Sequence, residues 1–299
     1  MSIDIAVVPV AGHGTRLLPA TKSQPKEMLS VGRKPVVQFV VEELAKNGIR
    51  RLLFITGQGK DSIENHFDID ESLTSYLRES GREELLEDLE FERRDLEYFY
   101  TRQRRQLGLG HAVLCSKSLI GDQPFVVALG DSIIGLHAKS TIVERMIDIY
   151  EQQSADVVVA FEEVATSDVH RYGIAKPMAG SDQSDVFELA DVIEKPSQDE
   201  APSNLAVAAR YVFSPQIFQK LEQTRPGKGQ EIQLTDAIRL VLKGGGKGFG
   251  IRLSETEQRF DIGNFESYFQ TFIEFALSDP ELGATMRVHV RDMLERLGD

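Results

Sequence analysis

An unbroken apolar run from Ile5 to Val10 ends in Ala11 and Gly12. Continuous hydrophobicity over so short a stretch predicts a strand buried on both faces, and the small residues after it predict a tight turn. Over residues 35–47 the period changes: Val36, Val37, Val40, Val41 and Leu44 recur near helical spacing, with Pro35 suited to a first turn and Gly48 to a stop. A second strand is predicted over 51–56, then a helix over 110–118, a strand over 125–129, a helix over 140–152 and a strand over 155–161. Strands alternating with helices predict an α/β fold, a Rossmann-like mixed and mainly parallel sheet flanked by helices.

Two stretches interrupt the alternation. Residues 60–96 are charged, mostly acidic and helix-prone, which predicts a helical insertion before a strand near 97–101. Residues 173–213 read as β-rich, with strand-like content from Val186 to Glu194 and from Leu205 to Phe213. A helix over 233–243 and a strand over 248–253 return to the core, and helices over 264–277 and 281–297 close the chain. With no internal repeat or low-complexity linker, residues 1–299 read as one domain. Phe265, Phe269, Phe272 and Phe275 form a stripe that could face a second copy, predicting a homo-oligomer, or could pack on the chain's own sheet.

Composition narrows the class. A chain of 299 residues with 41% hydrophobic content can bury a sizeable core, and a formal charge of −13 argues against an extended nucleic-acid surface. The basic run from Arg102 to Arg105 reads as a solvated edge. Cys115 is the single cysteine, so no intrachain disulfide can form, and it reads as a core thiol. The first residues lack a secretory pattern and no apolar run approaches the roughly 20 residues that span a bilayer, so a cytoplasmic protein without membrane contact is expected.

The candidate chemistry lies in AGHGTRLLPATKSQPKEM, residues 11–28, directly after the first strand. Glycines there let the backbone approach phosphates, and turn N–H groups can point at a nucleotide. The GK[ST] ending of a P-loop is absent, and Pro19 and Pro25 hold the segment extended where a dinucleotide fingerprint would need a helix. Asp131 follows the 125–129 strand at its carboxyl end, where open α/β sheets bind ligands, and magnesium favours such carboxylates combined with substrate phosphates.

Together with SIENHFD at 62–68, GLGHAV at 108–113, RYG at 171–173, VIEKP at 192–196, APSNLA at 201–206 and EIQLTDAI at 231–238, this segment resembles the sugar nucleotidyltransferases, in particular the bacterial group that joins UTP to glucose 1-phosphate. The resemblance covers residues from about 5 to 275. It implies Arg16 and Lys26 as the catalytic cations on the triphosphate, and Ala11, Gly12, Gly14, Thr15, Gln103 and Gly108 around the nucleotide. Gln103 would read the uracil edge, with Gln106 a nearby decoy. It implies Gly173, Glu194 and Lys195 for the sugar phosphate, and Asp131 with Asp261 for Mg2+. Such a reaction needs positioning and charge neutralisation more than a protein nucleophile.

The chain departs from the family pattern at three points. His13 stands where a small or apolar residue is usual and reads as a solvated loop residue in preference to one that alters triphosphate affinity. Gly130 replaces the proline of LPD, which predicts a looser backbone before Asp131, and Phe265 replaces a lysine after Gly263 and Asn264. These leave open transfer to another sugar, the use of dTTP, or a non-catalytic regulatory paralogue, beside the leading reading of UDP-glucose formation.

Overall fold

In β1 (Ile5–Pro9), Ile5 and Val7 point to one side of the sheet and Ala6 and Val8 to the other, so the strand divides two apolar clusters, as its unbroken hydrophobicity predicts. The computed structural model describes residues 3–93, 95–181 and 183–298. After β1 come a short hairpin, β2 (Ser30–Val31) and β3 (Lys34–Pro35), and helix α1 (Val36–Lys46), which Gly48 ends with φ +89°. Then follow β4 (Arg51–Thr56), α2 (Asp61–Phe67), α3 (Glu71–Glu79), a 3-10 stretch Glu83–Arg93 and β5 (Glu97–Arg102). The insertion is therefore helical, and its last part is wound as 3-10. Like charges four residues apart, Glu83 with Glu87 and Glu84 with Asp88, disfavour an α-helix there.

The expected helix over 110–118 is two pieces, α4 (Leu109–Leu114) and α5 (Lys117–Ile120). Ser116 breaks it: its hydroxyl donates to the Val113 carbonyl at 2.6 Å and competes with the helical ladder. Cys115, at this junction, is half-buried where a core thiol was expected. Next come β6 (Phe125–Ala128), β7 (Ser132–Ile134), α6 (Ile142–Gln153), β8 (Val157–Glu163), β9 (Gly173–Pro177), β10 (Val186–Glu194) and β11 (Leu205–Phe213). The chain finishes with α7 (Gln216–Gln223), α8 (Leu234–Lys243), β12 (Gly248–Arg252), β13 (Arg259–Asp261), α9 (Phe265–Leu277) and α10 (Gly283–Leu297).

Among the described residues nine strands form one sheet in the order β5-β4-β1-β6-β11-β8-β12-β10-β9. β5, β4, β1 and β6 are parallel neighbours, and β8 pairs parallel with β12, while β11 and β10 run antiparallel to their neighbours. β9 also meets β11 through Ala206 and Ile174, which curls that edge of the sheet. A separate ribbon pairs β7 with β13, setting Asp261 opposite Ser132.

The phenylalanine stripe divides. Phe275 is buried and its ring meets those of Phe39 and Phe260 edge-on at 5.0 and 5.2 Å. Phe269 and Phe272 stay exposed, at 56% and 43%. Phe265 packs on Phe269 at 5.6 Å in the first turn of α9, where Asn264 caps the helix by accepting from the Ser267 N–H at 3.1 Å.

Candidate active site

The loop after β1 and the segment after β6 meet at the carboxyl edge of the sheet, around a cavity of about 450 Å3. Ala11, Gly12, Gly14, Thr15 and Arg16 line one wall. Gly14 has φ +65° and its carbonyl accepts from the Thr21 hydroxyl at 2.8 Å, which pins the turn. Lys26, Asp131, Gln103 and Gly108 complete the lining. His13 lies exposed on the cavity's rim, both solvated and beside whatever occupies it.

Lys26 Nζ forms an ion pair with Asp131 Oδ2. Burial alone would lower the Lys26 pKa, but the carboxylates of Asp131, Glu27 and Asp261 outweigh it and hold the ammonium well above its ordinary value. For Asp131, burial pushes up and the Lys26 charge and hydrogen bond pull further down, leaving the carboxyl below its usual range. Asp261 goes the other way. Burial and the neighbouring Asp131 charge raise its pKa, against the smaller pull of Arg259, Lys26 and Arg16. The two aspartates are neighbours through the ribbon, where the Ile262 N–H donates to the Asp131 carbonyl at 3.3 Å. Gly263 leaves room for Asp261, since a Cβ there would lie 2.9 Å from its Oδ2.

Gly173, Glu194 and Lys195 come together away from that cavity wall, where β9 and β10 pair with Glu194 opposite Gly173. Glu194 Oε2 accepts from the Thr235 hydroxyl at 2.9 Å, and its Oε1 lies 3.2 Å from Lys195 Nζ. A Cβ at Gly173 would sit 2.8 Å from Thr235 Cγ2 and 3.4 Å from Glu194 Oε2, so glycine keeps this corner open. Lys195 takes φ +45°, a conformation unusual for a lysine, and its N–H donates to the Tyr172 carbonyl at 2.8 Å.

Several residues escaped the sequence reading. Arg259, nearly buried, pairs with Glu162, lies 4.8 Å over the Tyr172 ring and stands two residues before Asp261. It puts a cation beside the aspartates although Phe265 replaces the usual lysine. Glu27, 1% exposed, pairs with the equally hidden Lys60 at 2.8 Å and so ties the Lys26 segment to the start of α2. Gln106 also lines the cavity, but its amide donates to the Ala11 carbonyl at 2.8 Å and braces the turn. No local pattern announces Arg259, Glu27 or Lys60, because each partner is distant in sequence. At Gly130 a Cβ would lie 2.5 Å from Val10 Cγ1, so this glycine also permits close packing against the first strand.

The nucleotidyl transferase family profile matches residues 5–276. A UTP–glucose-1-phosphate uridylyltransferase of Staphylococcus epidermidis is 40% identical over 291 residues, covering 97% of this chain and 98% of its own. The UTP–glucose-1-phosphate uridylyltransferase YngB of Bacillus subtilis is 43% identical over 291 residues, covering 97% and 95%. Among solved structures, a UTP-bound UGPase from Acinetobacter baumannii superposes with a TM-score of 0.87 at 35% identity over 96% of this chain and 98% of that one. A UDP-glucose pyrophosphorylase complexed with UDP-glucose gives 0.80 at 36%, over 91% and 98%. A shared fold, a matching profile over most of the residues and relatives aligned nearly end to end lead to one conclusion: the chain belongs to the nucleotidyl transferase family and is a nucleotidyltransferase.

Proposed function

We propose that this enzyme transfers UMP from UTP to glucose 1-phosphate, forming UDP-glucose and releasing pyrophosphate, with Mg2+ as cofactor. The observation that carries the reading is the meeting of Lys26, Asp131 and Asp261 at the cavity lined by the glycine turn and Arg16. The substrates and products for which the relatives are named support the choice of base and sugar.

The carboxylates suit the cation. Among the described residues no cluster of three or more metal-type side chains occurs, so the protein's share is the Asp131 and Asp261 pair, and Mg2+ characteristically takes its other ligands from water and phosphate. Burial first and the Asp131 charge second raise the pKa of Asp261, and a divalent cation held by the two carboxylates would relieve their repulsion. Bound there, the ion would neutralise phosphate charge.

In the reaction a phosphate oxygen of the sugar phosphate attacks the α-phosphorus, the bond to the bridging oxygen of the β-phosphate breaks, and pyrophosphate leaves with that electron pair. Lys26 exchanges its Asp131 contact for the α-phosphate and the incoming phosphate, and Arg16 holds the outer phosphates. Ala11, Gly12, Gly14 and Thr15 present backbone to the nucleotide, Gly108 closes on the base and Gln103 reads its edge. Glu194 accepts hydrogen bonds from glucose hydroxyls, Lys195 contacts the sugar phosphate, and Gly173 leaves them space. A second copy of the chain completes the partner set, seated on the exposed Phe269 and Phe272 of α9.

Pyrophosphate release across a panel of sugar 1-phosphates and nucleoside triphosphates tests this reading. The expected result is a clear maximum for UTP with glucose 1-phosphate. A maximum at another pair reassigns the substrates, and nucleotide binding without turnover on any pair refutes catalysis.

A further inference from the structure

We propose that His111 sets the base selectivity of the cavity by locking the Gln103 amide in one orientation. The inference rests on Gln103 meeting the base, as proposed above, and adds a residue that does not itself touch substrate.

Gln103 is 6% exposed and lines the cavity wall. Its Nε2 lies 3.0 Å from the Gly108 carbonyl and 3.0 Å from His111 Nδ1. A carbonyl oxygen can only accept, so the amide atom facing Gly108 is the NH2 group. That group has two hydrogens, and both are used: one on Gly108, one on His111. Gln103 Oε1 makes no hydrogen bond to the described residues, so it is the one polar atom of this side chain available to a base. Nδ1 of His111 can accept only when the ring carries its single proton on Nε2, and burial lowers the His111 pKa in keeping with a neutral ring.

The bracket is rigid. Gly108 and His111 lie at the start and in the first turn of α4, and the Gly108 carbonyl also accepts from the Ala112 N–H at 3.1 Å. Gly108 has φ +98°, and a Cβ there would meet Glu231 Cβ at 2.7 Å and the Ile232 carbonyl at 2.9 Å, so this backbone can be supplied by glycine alone.

The chemistry follows from an acceptor with no accompanying donor. Uracil and thymine carry an N–H at N3, which matches Oε1. Cytosine has a lone pair at N3, which Oε1 repels. Removing the His111 acceptor leaves the amide held by the Gly108 carbonyl alone, so the plane that aims Oε1 at the base is no longer fixed and the discrimination against cytosine N3 weakens. His111 is thus a positioning residue acting through Gln103.

The test compares kcat/KM for UTP and CTP, with glucose 1-phosphate as co-substrate, in the wild type and in His111→Asn, His111→Leu and Gln103→Leu. Each ratio is taken on one protein preparation, so partial unfolding cancels. Asparagine keeps an oxygen acceptor near the place of Nδ1 and should preserve the UTP preference. Leucine removes the acceptor and should lower the preference by about tenfold, chiefly through KM. An unchanged ratio in His111→Leu, with the ratio collapsing in Gln103→Leu, overturns the lock and leaves Gln103 as the base reader. Equal loss of preference in the asparagine and leucine variants also overturns it, by assigning His111 a merely structural role. An unchanged ratio in Gln103→Leu removes the base-reading role itself.

Discussion

Asp261 is held at a cost. An acid whose pKa is raised by folding binds its proton more tightly in the native state than in the unfolded chain, so the stability from this group is present at low pH and lost as pH rises above the ordinary carboxylate value. In metal-free buffer Asp261→Asn is therefore expected to melt above the wild type near pH 7.5, with the gap narrowing toward pH 4, while activity falls by about 10²-fold or more. Paired melting curves at the two pH values check this, and equal gaps at both would contradict it. Lys26 and Asp131 were legible in the sequence because each sits in a dense local motif beside a strand end. Arg259 and Glu162 were not, since they lie 97 residues apart and are joined only by the fold. The packing role of Gly130 was not legible either, because the space its Cβ would need is taken by Val10, a neighbour that no local pattern names.

Between elements, the decisive contact is the fully buried pair Glu43 and Arg210. Arg210 Nε and Nη2 donate to the two Glu43 oxygens at 3.0 and 2.6 Å, and Nη2 also reaches the Ser132 carbonyl at 2.9 Å. Ala209, with φ +60°, turns its carbonyl to accept from the Leu129 N–H at 3.1 Å. Thus α1, β11 and the Asp131 segment are fastened at one point. Glu43→Ala should cost about 3–5 kcal/mol, because it leaves a buried guanidinium without its counter-charge, whereas the double change Glu43→Met with Arg210→Met should cost far less. Urea denaturation midpoints measure both, and a single-variant loss below about 1 kcal/mol would remove the pair from this role. The sequence predicts α1 and β4 closely because apolar period, proline and glycine agree there. It misplaces the end of the helix over 110–118, where the Ser116 hydroxyl decides the break.

Across the whole molecule, the alternation of strands and helices made the parallel half of the sheet readable, since a crossover helix dictates parallel neighbours. The antiparallel β10 and β11 were recognisable as strands but not in direction, which depends on partners far along the chain. At this scale α9 leaves Phe269, Phe272 and Ile273 exposed, and light scattering should find at least twice the 33.4 kDa of one chain, with Phe272→Asp shifting it to monomer. A wild-type monomer would refute the second copy. The central claim is also one of assembly, that the segments after β1 and β6 and the end of β13 converge their charges on one triphosphate. Its most direct test is the rate of pyrophosphate release from UTP and glucose 1-phosphate by Lys26→Ala, with folding verified by circular dichroism. A fall of about 10²–10³-fold in a correctly folded protein is the predicted result, and an undiminished rate would contradict the claim.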